Sequence, residues 1–387
     1  MRLVTLILLV LFPLAGCVPT IARQPLPIEL LGSQQVIGGQ QVRYFGDEAP
    51  EGWEQIRKTL RAPAGAPKKQ YYLAISGGGS DGAFGAGLLK GWGESGTRPE
   101  FSLVTGISAG AITAPFAFLG GKYDVQLSRI FTTISAKDLV AIDLKGAFGR
   151  GSIASSEPFR KLIAGYADAE MLAAIATEHR KGRKLLIGTT QLDAQRPIIW
   201  DIGALAISTY PKKLQLFRDI LLASAAIPGA FEPVIIKVDG VNGSFDELHV
   251  DGGVTNQVFL YPPQVRPQDF DKRAGVTRTL YVIRNGKVSP EYVVTETFGQ
   301  ILSRTIGTLT KNQGIGDLYR LYATAERDKI DYNLATVPSS FDKVEDEPFD
   351  PKYMKALYAV GYLQGLKGYD WQKTPPGLDL AARSAQR

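Results

Sequence analysis

From Tyr71 onward the chain alternates short apolar runs with helix-length stretches, and glycine clusters mark the first changeovers. Tyr71 to Ser76 suits a buried strand; Gly77-Gly78-Gly79 breaks it, and a small-residue helix follows from Ala83 to about Trp92. Phe101 to Thr105 repeats the pattern, with a helix from Ser108 to about Leu119. Further strands are expected at Lys184 to Thr189, Pro197 to Trp200, Val234 to Val238, His249-Val250 and Thr279 to Arg284. Helices fit Glu157 to Tyr166, Ala169 to Glu178 and Lys213 to Ala226. Strands that alternate with helices bury both sheet faces, which predicts a layered α/β domain with a mostly parallel sheet. After Val288 the pattern turns helical, over Glu291 to about Asp328 and again over Tyr353 to about Leu366. The second of these helices carries Met354, Leu357 and Val360-Gly361, and both are expected to pack back on the sheet.

At 387 residues the chain fits one large domain with appendages. It is 44 % apolar and 21 % charged, ordinary for a packed protein that needs neither disulfide nor metal to hold a core. The net charge of +6 is not gathered into a basic block. With no nucleic-acid-binding signature present, nucleic acid is not an expected partner.

The single cysteine, Cys17, rules out an intrachain disulfide and any cysteine-rich metal site. It closes a segment made of Met1-Arg2 and an apolar run from Leu3 to Leu14. About a dozen apolar residues cannot span the ~30 Å of a bilayer core as a helix, so residues 1–16 read as a secretory signal peptide. Leu14-Ala15-Gly16-Cys17 resembles a bacterial lipobox, which implies acylation of Cys17 and anchoring in the cell envelope. An ordinary signal peptide with a chance cysteine is the alternative. Val18 follows in place of the aspartate of inner-membrane retention, so the outer membrane is the expected location. Residues 17–69, rich in proline, form a lipidated N-terminus and linker with a weak helix over Trp53 to Arg61. The catalytic domain is expected over 70–265, a C-terminal extension packed on it over 266–373, and a tail over 374–387.

Two segments read Gly-x-Ser-x-Gly: Gly106-Ile107-Ser108-Ala109-Gly110 and Gly78-Gly79-Ser80-Asp81-Gly82. Roughly 0.1 to 0.3 such matches arise by chance at this length, so context decides. Both follow a strand and open a helix, as a nucleophile elbow does. Beside Ser108 the residues are small and uncharged, and helix N–H groups point at a developing oxyanion. Beside Ser80 stands Asp81, whose charge opposes one. Ser108 is therefore the candidate nucleophile. Gly77-Gly78-Gly79 offers bare backbone donors for an oxyanion hole, with Ala109 beside them. A dinucleotide site also matches Gly77-x-Gly79-x-x-Gly82, but it wants an acidic residue near the end of the next strand, which here ends Thr105-Gly106. A P-loop lacks its Gly-Lys-Ser/Thr.

A serine nucleophile needs a base. The chain has two histidines. His179 lies in a charged stretch that reads as a solvated helix end, and His249 stands two residues before Asp251-Gly252-Gly253. A carboxylate at a strand end followed by two glycines is placed where α/β proteins keep their sites, although alone it reads as a turn residue.

The ordered set, strand–Gly-Gly-Gly-x-x-Gly–helix, strand–Gly-x-Ser-x-Gly–helix and strand–Asp-Gly-Gly, resembles the patatin-like phospholipase family over roughly Tyr71 to Tyr261. Ala223-Ser224-Ala225-Ala226-Ile227-Pro228 is similar to that family's Ala-Ser-x-Ala-x-Pro segment. The resemblance implies a three-layer α/β/α fold and lipid acyl-ester hydrolysis by a serine–aspartate dyad without cofactor or metal. Ser108 would be the nucleophile, Asp251 the base and the Gly77–Gly79 backbone the oxyanion hole. The motif glycines would be Gly82, Gly106, Gly110, Gly252 and Gly253. Asp81 departs from the Arg or Lys common at that place, which bears on headgroup preference more than on the chemistry. Two alternatives stay open: a triad of Ser108, His249 and either Asp193 or Asp201, and a lipid-binding surface lipoprotein without catalysis.

Overall fold

The computed structural model describes residues 21–31, 36–49, 53–54, 58, 65–142, 154–240 and 243–378. Cys17, the 1–16 segment, most of the expected Trp53 to Arg61 helix and residues 379–387 lie outside the described residues.

The main sheet has nine strands among the described residues: β1 (Arg43–Phe45), β2 (Lys69–Ile75), β3 (Leu103–Gly106), β4 (Lys184–Gln191), β5 (Arg196–Asp201), β6 (Val234–Gly240), β7 (Gly243–Asp251), β8 (Thr277–Arg284) and β9 (Asp331–Thr336). Its centre is parallel, in the order β9-β8-β2-β3-β4. The remaining pairings, β4 with β5 and β7, β5 with β1, and β7 with β6, are antiparallel. Eight helices of ten or more residues accompany it: α1 (Gly82–Glu94), α2 (Ala109–Leu119), α3 (Asp124–Thr133), α4 (Glu157–Tyr166), α5 (Ala169–Arg180), α6 (Lys213–Ser224), α7 (Phe298–Asp328) and α8 (Pro351–Lys367). This is the expected α/β fold, three layers around a mostly parallel sheet.

Strand alternation builds the layers, because successive side chains point to opposite faces. In β2, Leu73 and Ile75 join the large core that also holds α1, α2, α5 and α6. Tyr72 and Ala74 join a second core with Leu280, Val282, Leu334 and, from α7, Leu318, Leu321 and Ala325. The rear half of α7 is thus the third layer.

Two strands were not expected. β1 lies in the segment read as linker; at three residues it shows no period, and it is held by pairing with β5 and by a buried double ion pair from Arg43 to Glu247 at 2.5 and 2.9 Å. β9 lies in the C-terminal extension. Its Asp331 and Asn333 are poor strand formers, but Tyr332 and Leu334 bury into the second core.

The C-terminal helix α8 lies on α1 through two reciprocal glycine pairs. A methyl group on Gly87 or Gly91 would stand 2.1 Å from the carbonyl oxygen of Tyr358 or Tyr362. One on Gly361 or Gly365 would stand 2.2 or 2.3 Å from that of Phe84 or Leu88. Bare backbone on both sides brings the two helices closer than any side chain permits.

Candidate active site

Register brings Ser108 and Asp251 together. Gly106, the last residue of β3, pairs with Ile187 of β4, while Asp251, the last of β7, pairs with Thr189. Because β5 occupies the other edge of β4 along both positions, β3 and β7 share one edge and meet end to end. The parallel strand β3 and the antiparallel strand β7 therefore point their C-termini at each other. Only the sheet topology makes this so.

Ser108 follows β3 in the left-handed region, at φ 55° and ψ −123°, and α2 starts at the next residue. A non-glycine residue there is strained and persists only where its surroundings hold it. Three contacts do so. The Ser108 N–H donates to Ser224 Oγ at 3.1 Å, and Ser224 Oγ donates to the Gly188 carbonyl at 2.6 Å. Gly106 and Gly110 pack backbone on backbone: a Cβ on either would lie 2.3 Å from the oxygen of Gly110 or Ile75, respectively.

Asp251 is buried, with the Ser108 hydroxyl near enough to lower the pKa of its carboxyl. The Gly253 N–H donates to its Oδ1 at 2.7 Å, within the tight turn over Gly252–Val254. Burial pushes its pKa up to about 6, against the lowering effect of the Ser108 hydroxyl and the Gly253 hydrogen bond. The Asp251 N–H donates to the Ala226 carbonyl at 2.9 Å. Ala223-Ser224-Ala225-Ala226 thus holds both partners, Ser224 the elbow and Ala226 the aspartate. The sequence singled out this segment by resemblance and assigned it no role.

The glycine loop corrects one expectation. Gly77 N–H donates to the Gln257 carbonyl at 3.0 Å and is engaged. Among the described residues the N–H groups of Gly78, Gly79 and Ala109 donate to no protein acceptor, and Gly79 and Ala109 line the same pocket as Ser108. Gly78 is required because Asn285 lies beneath it, its oxygen 2.3 Å from where a Cβ would stand. Gln257 also donates to the Gly253 carbonyl at 2.8 Å. One side chain and its backbone therefore tie the glycine loop to the Asp-Gly-Gly turn.

Asp81 accepts a hydrogen bond from Tyr353 at 2.5 Å and does not line the pocket that holds Ser108. Burial pushes its carboxyl up, with Tyr353 and the Arg284 charge working the other way. Arg284, buried at the end of β8, donates to Ser76 Oγ and to the Gly77 carbonyl, each at 3.2 Å. A positive charge thus stands beneath the glycine loop after all, supplied from a strand some 200 residues away in the chain. Sequence reading could not find it, since nothing local distinguishes Arg284. Ser80, of the second Gly-x-Ser-x-Gly, is buried and accepts the Phe349 N–H at 3.0 Å.

The histidines are elsewhere. His249 is fully buried between Glu247 at 3.1 Å and Thr189 at 3.0 Å, and burial pushes its pKa down. Asp193 pairs with Arg23, and Asp201 pairs with Lys184 and caps Ala204, so the parts of the alternative triad are not assembled. His179 is not the solvated residue expected; its side chain is 11 % exposed, packed on Gly203 and 3.6 Å from Asp201. Among the described residues no three His, Cys, Asp or Glu side chains gather to hold a metal ion.

The pocket over Ser108 is lined by Ile112, Phe131, Leu139, Phe159, Phe231, Phe349 and Met354 among others, and Ser108 is its one polar side chain. Such a lining favours an acyl chain over a polar group. Phe349 is held at φ 60° by hydrogen bonds from its N–H to Ser80 and Glu345.

No curated protein matches this sequence. The crystal structure of VipD from Legionella pneumophila is similar over 78 % of this chain and 67 % of that one, at 13 % identity and a TM-score of 0.42. Residues 73–262 match the family model described as patatin-like phospholipase, so the chain carries a patatin-like phospholipase domain over that stretch.

Proposed function

We propose that this lipid hydrolase cleaves acyl esters through a Ser108–Asp251 dyad. The observation that carries the reading is a single polar side chain in an apolar pocket, set beside a buried carboxylate where two strand ends meet. Asp251 takes the Ser108 proton as Oγ bonds to the ester carbonyl carbon. The tetrahedral oxyanion then collapses, the C–O bond to the alcohol breaks, and the alcohol leaves with the proton. Water, deprotonated by the same carboxylate, releases the acid and restores Ser108. Gly78, Gly79 and Ala109 N–H groups hold the oxyanion, each well-aimed donor contributing about 2.7–4 kcal/mol in the transition state. Arg284 orders the loop that carries two of them.

A fluorophosphonate probe tests the nucleophile. The wild-type chain is expected to label and Ser108→Ala to remain unlabelled; equal labelling of both removes Ser108 from the mechanism. Profiling ester classes with the same control reads the substrate.

Envelope anchoring through acylated Cys17 belongs to the same proposal, on the strength of the Leu14-Ala15-Gly16-Cys17 pattern. No helix of the described residues is long and apolar enough to cross a membrane. A clickable fatty-acid label is expected to be incorporated by the wild-type chain and not by Cys17→Ser; equal labelling of both would remove the tether from the proposal.

A further inference from the structure

The front half of α7 carries an apolar face on which none of the described residues packs. Phe298, Ile301, Leu302, Ile306 and Leu309 are 50–82 % exposed. Their spacing of three, four, eight and eleven residues from Phe298 lines them up as one stripe, about 16 Å long at 1.5 Å per residue. The opposite face carries Gln300, Ser303, Arg304 and Gly307. The rear half of the same helix is buried through Leu318, Leu321 and Ala325, so the stripe is held rigidly in place.

It is also held beside the catalytic residues. One turn beyond Leu309, Gln313 donates to the Val254 carbonyl, three residues from Asp251. Asp317 accepts the N–H groups of Gln257 and Val258 at 2.6 and 3.3 Å. Val254, itself 45 % exposed, continues the apolar surface toward the Asp-Gly-Gly turn.

We infer that this stripe docks the enzyme on a phospholipid bilayer, a reading that rests on the lipid hydrolase proposed above. Three observations favour a bilayer as occupant. This front half is amphipathic, which suits lying in the interfacial plane. Between Thr297 and Thr310 its one charged residue is Arg304, so insertion desolvates no acid, and the charge complements anionic headgroups. The face, about 16 Å by about 10 Å, is too small to supply the ~800 Å² per partner of a stable dimer. Docked this way, the helix brings the Ser108 side of the sheet to the surface where the esters lie.

The test uses the full chain with Cys17→Ser and Ser108→Ala, leaving no native thiol and no hydrolysis. An environment-sensitive fluorophore is placed on Leu302→Cys or, as control on the polar face, on Gly307→Cys, where open space surrounds the backbone. Vesicles of equal parts phosphatidylcholine and phosphatidylglycerol are expected to shift the Leu302 label to the blue and leave the Gly307 label unchanged. A Phe298→Ser, Leu302→Ser, Leu309→Ser variant, with an unchanged melting temperature, is expected to bind the vesicles about tenfold or more weakly. No response at Leu302, or equal binding by the triple variant, overturns the inference. So does a dimer in light scattering that the triple variant dissolves. Docking by a chain whose intact Ser108 hydrolyses no lipid would sink the hydrolase reading instead and leave this one standing.

Discussion

Replacing Asp251 by asparagine is expected to stabilise the protein above about pH 8 while lowering hydrolysis by about 10²–10⁴-fold, the usual contribution of a general base. The asparagine matches the aspartate in shape. Its oxygen keeps the Gly253 N–H bond and its amide can donate to Ser108, so little packing changes. What it loses is a buried charge. Because the folded-state pKa is pushed up to about 6 from 3.8, the native state holds the Asp251 proton more tightly than the unfolded chain does. The stability linked to that proton is fully present below the unfolded value and is lost as the pH rises through about 6. Ionised Asp251 therefore costs the wild type up to about 3 kcal/mol at neutral and higher pH, and the variant avoids it. Denaturant unfolding of both proteins at low and high pH reads the difference, which should vanish toward about pH 4. A variant less stable at every pH would contradict the burial argument. The same shift predicts that wild-type kcat/KM rises with pH to a plateau, with a midpoint at about 6. A midpoint near the ordinary aspartate value would remove Asp251 as the base.

Gly361→Val is expected to cost about 3 kcal/mol or more, beyond the usual 1–3 kcal/mol of overpacking. The new Cβ would stand 2.2 Å from the Phe84 carbonyl oxygen and 2.9 Å from the Leu88 nitrogen. Both are helix backbone and cannot rotate aside, so α8 must lift off α1. Activity should fall with stability, since Tyr353 of α8 binds Asp81 and Met354 lines the pocket over Ser108. Gly316→Ala provides the contrast. It lies inside α7 in open space, where alanine is the better helix former by about 1 kcal/mol, and it should be neutral or stabilising. Thermal melts of the two variants beside the wild type check both signs. A Gly361→Val protein as stable as Gly316→Ala would show that the helix pair yields more easily than its geometry allows.

Much of this protein was readable from local pattern. The strand–glycine–helix units at Tyr71 and Phe101 are short-range features, set by apolar runs and the glycines that stop them. They located β2, β3, Ser108 and the layered fold. Histidine scarcity and the family resemblance pointed to Asp251, which its local pattern alone marks only as a turn residue. Where chemistry depends on partners far apart in the chain, pattern was silent. Asp81 stands where the family commonly has Arg or Lys, yet Tyr353 holds its carboxylate and Arg284 brings a cation beneath the loop. Gly77 was read as an oxyanion donor, yet Gln257 occupies its N–H. Nothing in the sequence of β1 or β9 marks a strand, because pairing with neighbours creates them.

The chain by itself determined which residues are able to react: a serine on a glycine-flanked turn, a carboxylate at a strand end, and bare backbone donors. Only the tertiary structure decided that they face one another. β3 and β7 run in opposite directions along one edge of β4, and Ser224 and Ala226 clamp the two ends where they meet. That meeting also buries Asp251 away from water, and the loss of hydration raises its pKa into the range where a carboxylate can serve as a base.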